Sequence, residues 1–369
     1  MSGLGNRILL ALAAPVLALA FSALVTSIVL LWAGDNPLSV FSLMAEYGSR
    51  PRTQTLILNG AITYYLSALA VAIGFRMNLF NIGVDGQYRL AAMLAAAVGG
   101  AIALPAPLHV LVIVLVAMLV GGMWAGIAGL LKVTRGVSEV ISTIMLNFIA
   151  TAIVAYLLTT ERLAVRVEGS NNIGTEPIPA SGQVPGLALV PGSSARVFGF
   201  LIVAVLVGVG FWFLLGRTRF GFDLKATGLS ESAAVASGIS VRRMIVLTMV
   251  ISGALAGLVG MPQLLGASYQ YSLDFPTGLG FTGIAIALLG RNNPIGIAFG
   301  ALLWAFLDQS SQILDLEGVA NEIVIIMQGT IVLSVVVAYE LVRRYRLRQQ
   351  QRIVGRAVEA EPERAGAAA

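Results

Sequence analysis

The sequence contains no cysteine and a single histidine, His109. The missing cysteines exclude disulfides, thiolate nucleophiles and cysteine-ligated metals, and one histidine is too few for a zinc site or a histidine-based catalytic triad. His109 follows two prolines at the edge of an apolar run, and we expect it to lie at the membrane boundary. We expect no metal, no cofactor and no catalytic residue in this chain.

Charge is also scarce: charged residues make up 11% of the 369 residues, whereas 57% are hydrophobic. So few charges cannot cover a soluble surface. Uncharged runs of about 20 residues, long enough to cross a bilayer, recur along the chain, and the alternating pattern of barrel strands is absent from the sequence. The composition therefore predicts an all-α integral membrane protein with about ten transmembrane helices.

Ten apolar runs are candidate spans, of which the eighth and ninth are too short to cross on their own. They are residues 8–32, 55–75, 83–104, 108–131, 140–160, 197–216, 244–266, 277–290, 294–307 and 323–342. Together they form one transmembrane domain, residues 1–342. The remainder, residues 343–369, is a charged tail without an apolar stripe.

The basic residues are unevenly distributed between the two sides of this topology. With the N-terminus in the cytoplasm, most of the 23 basic residues are inside, and those outside are Arg50, Arg52, Arg162, Arg166 and Arg196. The positive-inside rule thus predicts that both termini are cytoplasmic. This topology explains the net charge of +5 without nucleic acid binding. It also leaves a proline-containing outside loop, residues 161–196, and an inside loop, residues 217–243.

The stretch LFNIGVDGQYRL, residues 79–90, interrupts two apolar runs. Its glycines and asparagines predict a helix that breaks before Asp85 and restarts there, with Asp85 and Arg89 spaced to form an ion pair. Residues 275–300 show a similar glycine-interrupted pattern. Paired interruptions indicate an internal repeat with a substrate path at its interface. Interfacial loops between ordinary helices are the alternative, because the two halves have little sequence similarity.

A polar stripe in the fifth candidate span consists of Glu139, Thr143, Asn147 and Thr151, each four residues apart. These side chains share one helix face, which should avoid lipid. Packing between helices explains the stripe as well as contact with a solute does. With the two interruptions, it yields the following candidates for the substrate path: Asn81, Asp85, Gln87, Thr143, Asn147, Phe281 and Thr282.

The two lysines, Lys132 and Lys225, both follow leucine. A P-loop requires the dipeptide Gly-Lys, so this chain has no Walker A motif. Any ATP used with this protein must be hydrolysed by another subunit.

Five motifs occur in a recognisable order. They are FNIGVDGQ (80–87), SEVISTIMLNFIA (138–150), GLSESAAVASGI (228–239), SGALAGLVG (252–260) and IALLGRNNPIGI (286–297). They resemble the permeases of ABC importers in the branched-chain amino acid and simple sugar group, and most of all its longer nucleoside and simple-sugar permease subunit. The resemblance spans residues 55–342.

This resemblance implies a multi-pass subunit of the bacterial inner (cytoplasmic) membrane that imports a small polar solute, a nucleoside or a simple sugar, by alternating access. It implies four kinds of partner: an ABC ATPase subunit, a second homologous permease in a heterodimer, an extracytoplasmic solute-binding protein and membrane lipid. It also implies a coupling helix that docks on the ATPase, formed by Gly228, Ser230, Glu231, Ala233, Ala234 and Gly238.

Two other functions remain open from the residues alone. An ion-coupled secondary carrier would have its own site at the broken helices and would transport without a partner. A structural membrane subunit would show no dependence on solute. The scarcity of conspicuous buried acids, which carriers use for ion coupling, weighs against the carrier.

Overall fold

The computed structural model describes residues 2–166, 169, 171–320, 322–338, 340, 341 and 344. These residues are mostly helical. The helices, in chain order, are α1 (Ser2–Ala33), α2 (Pro37–Ser49), α3 (Pro51–Phe75), α4 (Val84–Ala101), α5 (Ala106–Arg135), α6 (Glu139–Leu157), α7 (Leu201–Arg217), α8 (Arg219–Leu229), α9 (Glu231–Ala236), α10 (Val241–Gly257), α11 (Met261–Gln263), α12 (Leu279–Leu289), α13 (Pro294–Leu316) and α14 (Glu322–Ala338). Two short strands, β1 (Ala164–Arg166) and β2 (Ile173–Thr175), form an antiparallel hairpin.

Within the described residues, five helical segments are long and apolar enough to cross a membrane: α3, α5, α6, α13 and the segment Val241–Ser268, which contains α10 and α11. Counting two sharply bent helix pairs as one span each raises this number to seven. Shorter apolar helices, among them α12, add to these. The chain is thus an all-α integral membrane protein, as its composition predicts.

Several predicted boundaries differ from the structure. The ninth candidate span ends at Leu307, but α13 continues to Leu316. The first residue beyond the span, Asp308, accepts a hydrogen bond from Tyr64 inside the protein, so the helix does not have to end there. Helix α12 has 11 residues, about 16 Å of helix, and is too short to cross alone, as expected. Helix α2 was not predicted. Apart from Arg344, the predicted tail lies outside the described residues.

The chain divides into two compact units. The first comprises Met1–Met44 and Ser311–Ala369, and in it the Ser22 hydroxyl donates to the Met327 carbonyl at 3.4 Å. The second, Ala45–Ser310, contains helices α3 to α12 and most of α13. All predicted path and coupling residues belong to this second unit.

Helices α5 and α10 cross through glycines. A Cβ atom on Gly121 would lie 2.2 Å from the Gly253 carbonyl oxygen, and one on Gly257 would lie 2.1 Å from the Ala117 carbonyl oxygen. No side chain fits at these distances, so the two backbones are in direct contact. Such crossings are typical of membrane helices, whose association depends on close packing of small residues.

Helix α3 provides a depth scale for the second unit. The Ser67 hydroxyl, in the middle of α3, donates to the Leu279 carbonyl at 2.7 Å, so α12 begins beside the middle of α3. The Arg76 guanidinium, just after α3, donates to the Asn292 carbonyl at 2.8 Å, so α12 ends near the C-terminal end of α3. Helix α12 therefore runs along only half of α3.

Part of the predicted outside loop packs against the segment before α12. The Thr175 and Ile178 amides donate to the carbonyls of Tyr271 and Tyr269 at 2.9 and 2.8 Å. His109, which the sequence places at the membrane boundary, is fully buried in the first turn of α5, with its ring nitrogens 3.0 Å from the Gly99 carbonyl and 2.9 Å from the Ser181 hydroxyl. Burial of the ring is tolerated because both nitrogens have hydrogen-bond partners.

Candidate substrate path and coupling segment

A buried hydrogen-bond network holds the break between α3 and α4. Asn81 and Gln87 are fully buried and exchange amide hydrogen bonds of 3.0 and 2.9 Å. The Asn81 amide also donates to the Ser252 hydroxyl on α10 at 2.8 Å, and Ser252 donates to the Ala70 carbonyl on α3 at 2.6 Å. The network thus ties three helices to the break and satisfies the polar groups that it buries.

The polar stripe of α6 lies against the same break. Asn147 donates to the Ile82 carbonyl at 2.9 Å and accepts the Gly86 amide at 2.9 Å. A Cβ on Gly86 would lie 2.8 Å from the Cα of Asn147, so glycine permits this close approach. Thr143 is fully buried and donates to the Glu139 carbonyl at 2.7 Å. Glu139, Thr143 and Asn147 therefore face the protein, as their spacing predicts, whereas Thr151 at the end of the stripe is exposed.

Asp85 lies where the N-termini of α4 and α12 meet. Its carboxylate accepts the Gly280 amide at 3.4 Å, and a Cβ on Gly280 would lie 2.5 Å from the Asp85 amide nitrogen. A carboxylate is favourable there because the N-terminal ends of both helices carry partial positive charge. The expected ion pair with Arg89 is not found among the described residues; Arg89 donates instead to Thr151 on α6 at 3.0 Å.

Phe281 and Thr282, the remaining path candidates, are on the first turn of α12. Phe281 is 57% exposed, and Thr282 is half-buried with its hydroxyl 3.4 Å from the Gly278 carbonyl. Neither joins the network of Asn81 and Gln87. The structure thus separates the candidates into a buried group that holds the break and a partly exposed group, Asp85, Phe281 and Thr282, at the meeting of two helix ends.

Closer to the N-terminal end of α3 there is a cavity of about 280 Å³, which we call the polar cavity because several polar side chains lie in its otherwise apolar wall. It is lined by residues of α3 and α13, by Val259, Gly260 and Gln263, which follow α10, and by Phe275 and Pro276, which precede α12. In its wall the Tyr64 hydroxyl donates to the Asp308 carboxylate at 3.0 Å. Asn59 accepts the Phe198 amide at 2.7 Å and donates to the Arg196 carbonyl at 3.1 Å.

These cavity residues were not predicted from the sequence. For Asp308 a signal was present, since it is an acid that directly follows an apolar run. The ninth candidate span ends at Leu307, one residue before Asp308, and so leaves this acid out. Tyr64 and Asn59 lie in an apolar run with no periodicity that separates them from their neighbours, and no sequence signal identifies them.

A larger cavity, of about 610 Å³, lies between α3, α7 and α13. Its lining is almost entirely apolar and includes Tyr65, Trp212 and Phe299. A polar solute would lose its hydrogen bonds to water there without replacement. The smaller, polar cavity is therefore the better candidate for binding a polar solute.

The predicted inside loop contains two consecutive helices, α8 and α9. The Ser230 hydroxyl caps α9 by accepting the Ala233 amide at 3.3 Å, and Gly238 ends the helix with a φ of +80°, which glycine adopts without strain. Of the six predicted coupling residues, Ala234 is buried and points into the protein. Two large apolar side chains are exposed here, Leu229 (88%) and Val235 (61%).

This surface is joined directly to the loop at the α3–α4 break. The Asn78 side chain donates to the Gly228 carbonyl at 2.7 Å. A Cβ on Gly228 would lie 2.7 Å from the Arg76 carbonyl oxygen and 2.9 Å from the Cα of Met77. Residue Gly228 is thus in direct contact with the residues that precede the buried network. We name residues 228–238, which are predicted to dock on an ATPase, the coupling segment.

Comparison with known proteins gives a consistent result. Residues 55–336 match the family described as the permease component of branched-chain amino acid transport systems. The guanosine ABC transporter permease protein NupP of Bacillus subtilis is 38% identical over 281 residues, which cover 75% of this chain and 79% of NupP. The nucleoside ABC transporter permease protein NupB of Lactococcus lactis is 32% identical, covering 88% and 90% of the two chains.

The similarity extends to a permease for another solute. The glucose ABC transporter permease protein TsgB13 of Haloferax volcanii is 30% identical over 352 residues, covering 92% of this chain and 90% of TsgB13. Among solved structures, a metal-chelate type ABC transporter in an inward-facing conformation has 17% identity and a TM-score of 0.39, covering 72% of this chain and 77% of its own. A TM-score this low supports no structural conclusion.

Proposed function

The chain belongs to the family of permease components of branched-chain amino acid transport systems, and we propose that its solute is a nucleoside or a simple sugar. It is a multi-pass ABC transporter permease subunit. Similarity to nucleoside and glucose permeases over most of both chains supports this solute class. Its role is translocation, and ATP hydrolysis belongs to a separate ATPase subunit, because a P-loop is missing from the sequence.

The proposed path passes the meeting point of α4 and α12. There the half-buried Asp85 and Thr282 and the exposed Phe281 can contact a solute. Asn81, Gln87, Thr143 and Asn147 support this point from behind, because their hydrogen bonds are directed to the protein. Irregular backbone at membrane depth is tolerated where it lines a cavity or is buried in protein, which fits both roles.

The coupling segment is the proposed docking site for the ATPase. Leu229 and Val235 present an apolar surface at the end of the molecule where the inside loops meet, and Glu231 and Ala233 are exposed beside them. The Asn78 to Gly228 hydrogen bond would transmit a displacement of the segment to the α3–α4 break. Closure of two ATPases could thereby open or close the path in alternating access.

The importer would also contain a second, homologous permease and an extracytoplasmic solute-binding protein. Both termini would be in the cytoplasm and the whole would sit in the inner membrane, as the distribution of basic residues favours. The ion-coupled carrier is the weaker alternative, because the relatives with similarity along most of this chain are ABC transporter permeases.

Isolation of the native complex tests this function. The chain is tagged at its C-terminus, solubilised gently from its own membrane and analysed by mass spectrometry for co-purifying proteins. We expect an ABC ATPase and a second permease, and ATP-dependent uptake of guanosine or glucose once the complex and its binding protein are placed in liposomes. Purification of the chain alone, with uptake driven by an ion gradient, would establish the carrier instead.

A further inference from the structure

The polar cavity of about 280 Å³ contains an unused hydrogen-bond acceptor. The Gln309 Oε1 atom is buried, and it has no hydrogen-bond partner within the described part of the chain. Beside it on α13, Asp308 provides a carboxylate that accepts from Tyr64 at 3.0 Å. A buried carbonyl without a partner is costly. A ligand that brings N–H or O–H groups to Gln309 and Asp308 would remove that cost.

The charge of the cavity restricts which ligands can enter it. Among its described lining residues there is an acidic side chain, Asp308, but no lysine, arginine or histidine. A phosphate group would meet a carboxylate in a partly buried site without a compensating cation, which is unfavourable. The cavity therefore favours an uncharged solute over its phosphorylated form.

Besides Tyr64, two phenylalanine rings form part of the wall. Phe198 and Phe275 both line the cavity, and Phe275 is held by stacking on Tyr271 with ring centroids 4.6 Å apart. Gly260 allows this placement, since a Cβ there would lie 3.2 Å from the Phe275 ring. Nucleobases stack on such fixed aromatic side chains. The volume is also near the lower end, about 300 Å³, of small-molecule sites.

The backbone around the cavity is irregular in a way that suits a binding site. A π-helical turn, Leu264–Ser268, directly follows the lining residue Gln263, and the next residue, Tyr269, has a φ of +52°. Turns of this kind occur frequently at functional sites. The cavity is also lined by Leu279, the first residue of α12, whose carbonyl accepts a hydrogen bond from Ser67 on α3. It therefore adjoins the point where α4 and α12 meet.

We propose that this cavity is the outer solute site of the permease and binds an uncharged nucleoside. The base lies against Phe198 and Phe275, and N–H and O–H groups of the solute donate to Asp308 and Gln309. The cavity rejects the nucleoside 5′-monophosphate. This proposal rests on the proposed function and narrows its solute class from nucleoside or sugar to nucleoside.

Equilibrium binding of tritiated guanosine to the purified permease complex, in lipid nanodiscs and without the solute-binding protein, tests the site. We expect saturable binding that unlabelled guanosine displaces and that guanosine 5′-monophosphate and glucose do not. Asp308→Asn retains the acceptor for Tyr64 but removes the charge, and Gln309→Leu removes the unpaired carbonyl; each should weaken binding at least tenfold. Asp315→Asn, on the same helix but not in the cavity lining, should bind like the wild type.

Uptake by the complete importer in liposomes separates failure of the site from failure of the proposed function. Guanosine uptake together with equal guanosine binding by the wild type, Asp308→Asn and Gln309→Leu would overturn the site only. Guanosine uptake by an importer whose permease complex binds no guanosine would also overturn the site. The same holds if guanosine 5′-monophosphate or glucose displaces the bound guanosine as effectively as unlabelled guanosine does. An importer that takes up neither guanosine nor glucose would overturn the proposed function. ATPase co-purification and an unchanged elution volume establish that each variant is folded.

Discussion

Asn81 is the residue on which the buried network depends. It pairs with Gln87, donates to Ser252 and accepts the Gly83 amide at 3.1 Å. Removing its side chain leaves several buried groups unpaired, each at a cost of about 1–3 kcal/mol. We expect Asn81→Ala to lower the apparent Tm of the purified complex by several degrees, and Asn171→Ala, at an exposed position, to leave it unchanged. An unchanged Tm with an altered KM for solute would place Asn81 in the path instead.

At the residue scale, the sequence predicted what local spacing encodes and missed what depends on distant partners. Thr143 and Asn147 could be assigned to one protected helix face because they are four positions apart. Tyr64 and Asp308 are separated by 244 positions, so nothing in the sequence around either residue indicates that the two side chains form a hydrogen bond. The expected pairing of Asp85 with Arg89 was wrong for a related reason, because Arg89 has a partner on another helix.

At the scale of helices, the break before α4 could be predicted from the sequence, whereas the end of α13 could not. Glycine and asparagine are poor in helix interiors, and α4 does begin at Val84 after an irregular stretch. The end of α13 was misplaced because hydropathy alone treats Asp308 as a stop. Burial beside the Tyr64 hydroxyl allows the helix to continue, so its end at Leu316 depends on tertiary contacts.

The coupling segment supports a prediction about the exposed Leu229. If it inserts into the ATPase, its burial contributes about 1.5–3 kcal/mol, which corresponds to at least about tenfold in affinity. We expect Leu229→Ser to reduce the ATPase that co-purifies with the permease by about tenfold and to reduce ATP-driven uptake in proportion. Leu273→Ser, at a position 65% exposed before α12, is the matched control and should change neither. Normal co-purification by Leu229→Ser would show that docking lies elsewhere.

At the scale of the whole second unit, loops contact both ends of α3. Near its C-terminal end, Asn78 donates to Gly228; near its N-terminal end, the Thr55 hydroxyl donates to that of Ser193 at 2.8 Å. A helix of 25 residues separates these ends by about 37 Å, enough to cross a bilayer. The positive-inside rule assigns the loops at these two ends to opposite sides of the membrane. Loop contacts and basic residues are independent features of the chain, and both favour one topology.

The absence of cysteine makes this topology directly testable. Ser138, between α5 and α6, and Ser194, in the outside loop, are exposed, so each can become the single reactive thiol of the chain with little change in size. In intact spheroplasts, a membrane-impermeant maleimide should label Ser194→Cys and leave Ser138→Cys unlabelled. Permeabilisation should then make both reactive. Labelling of Ser138→Cys alone before permeabilisation would reverse the orientation, which would put the coupling segment on the side without ATP and remove its proposed role.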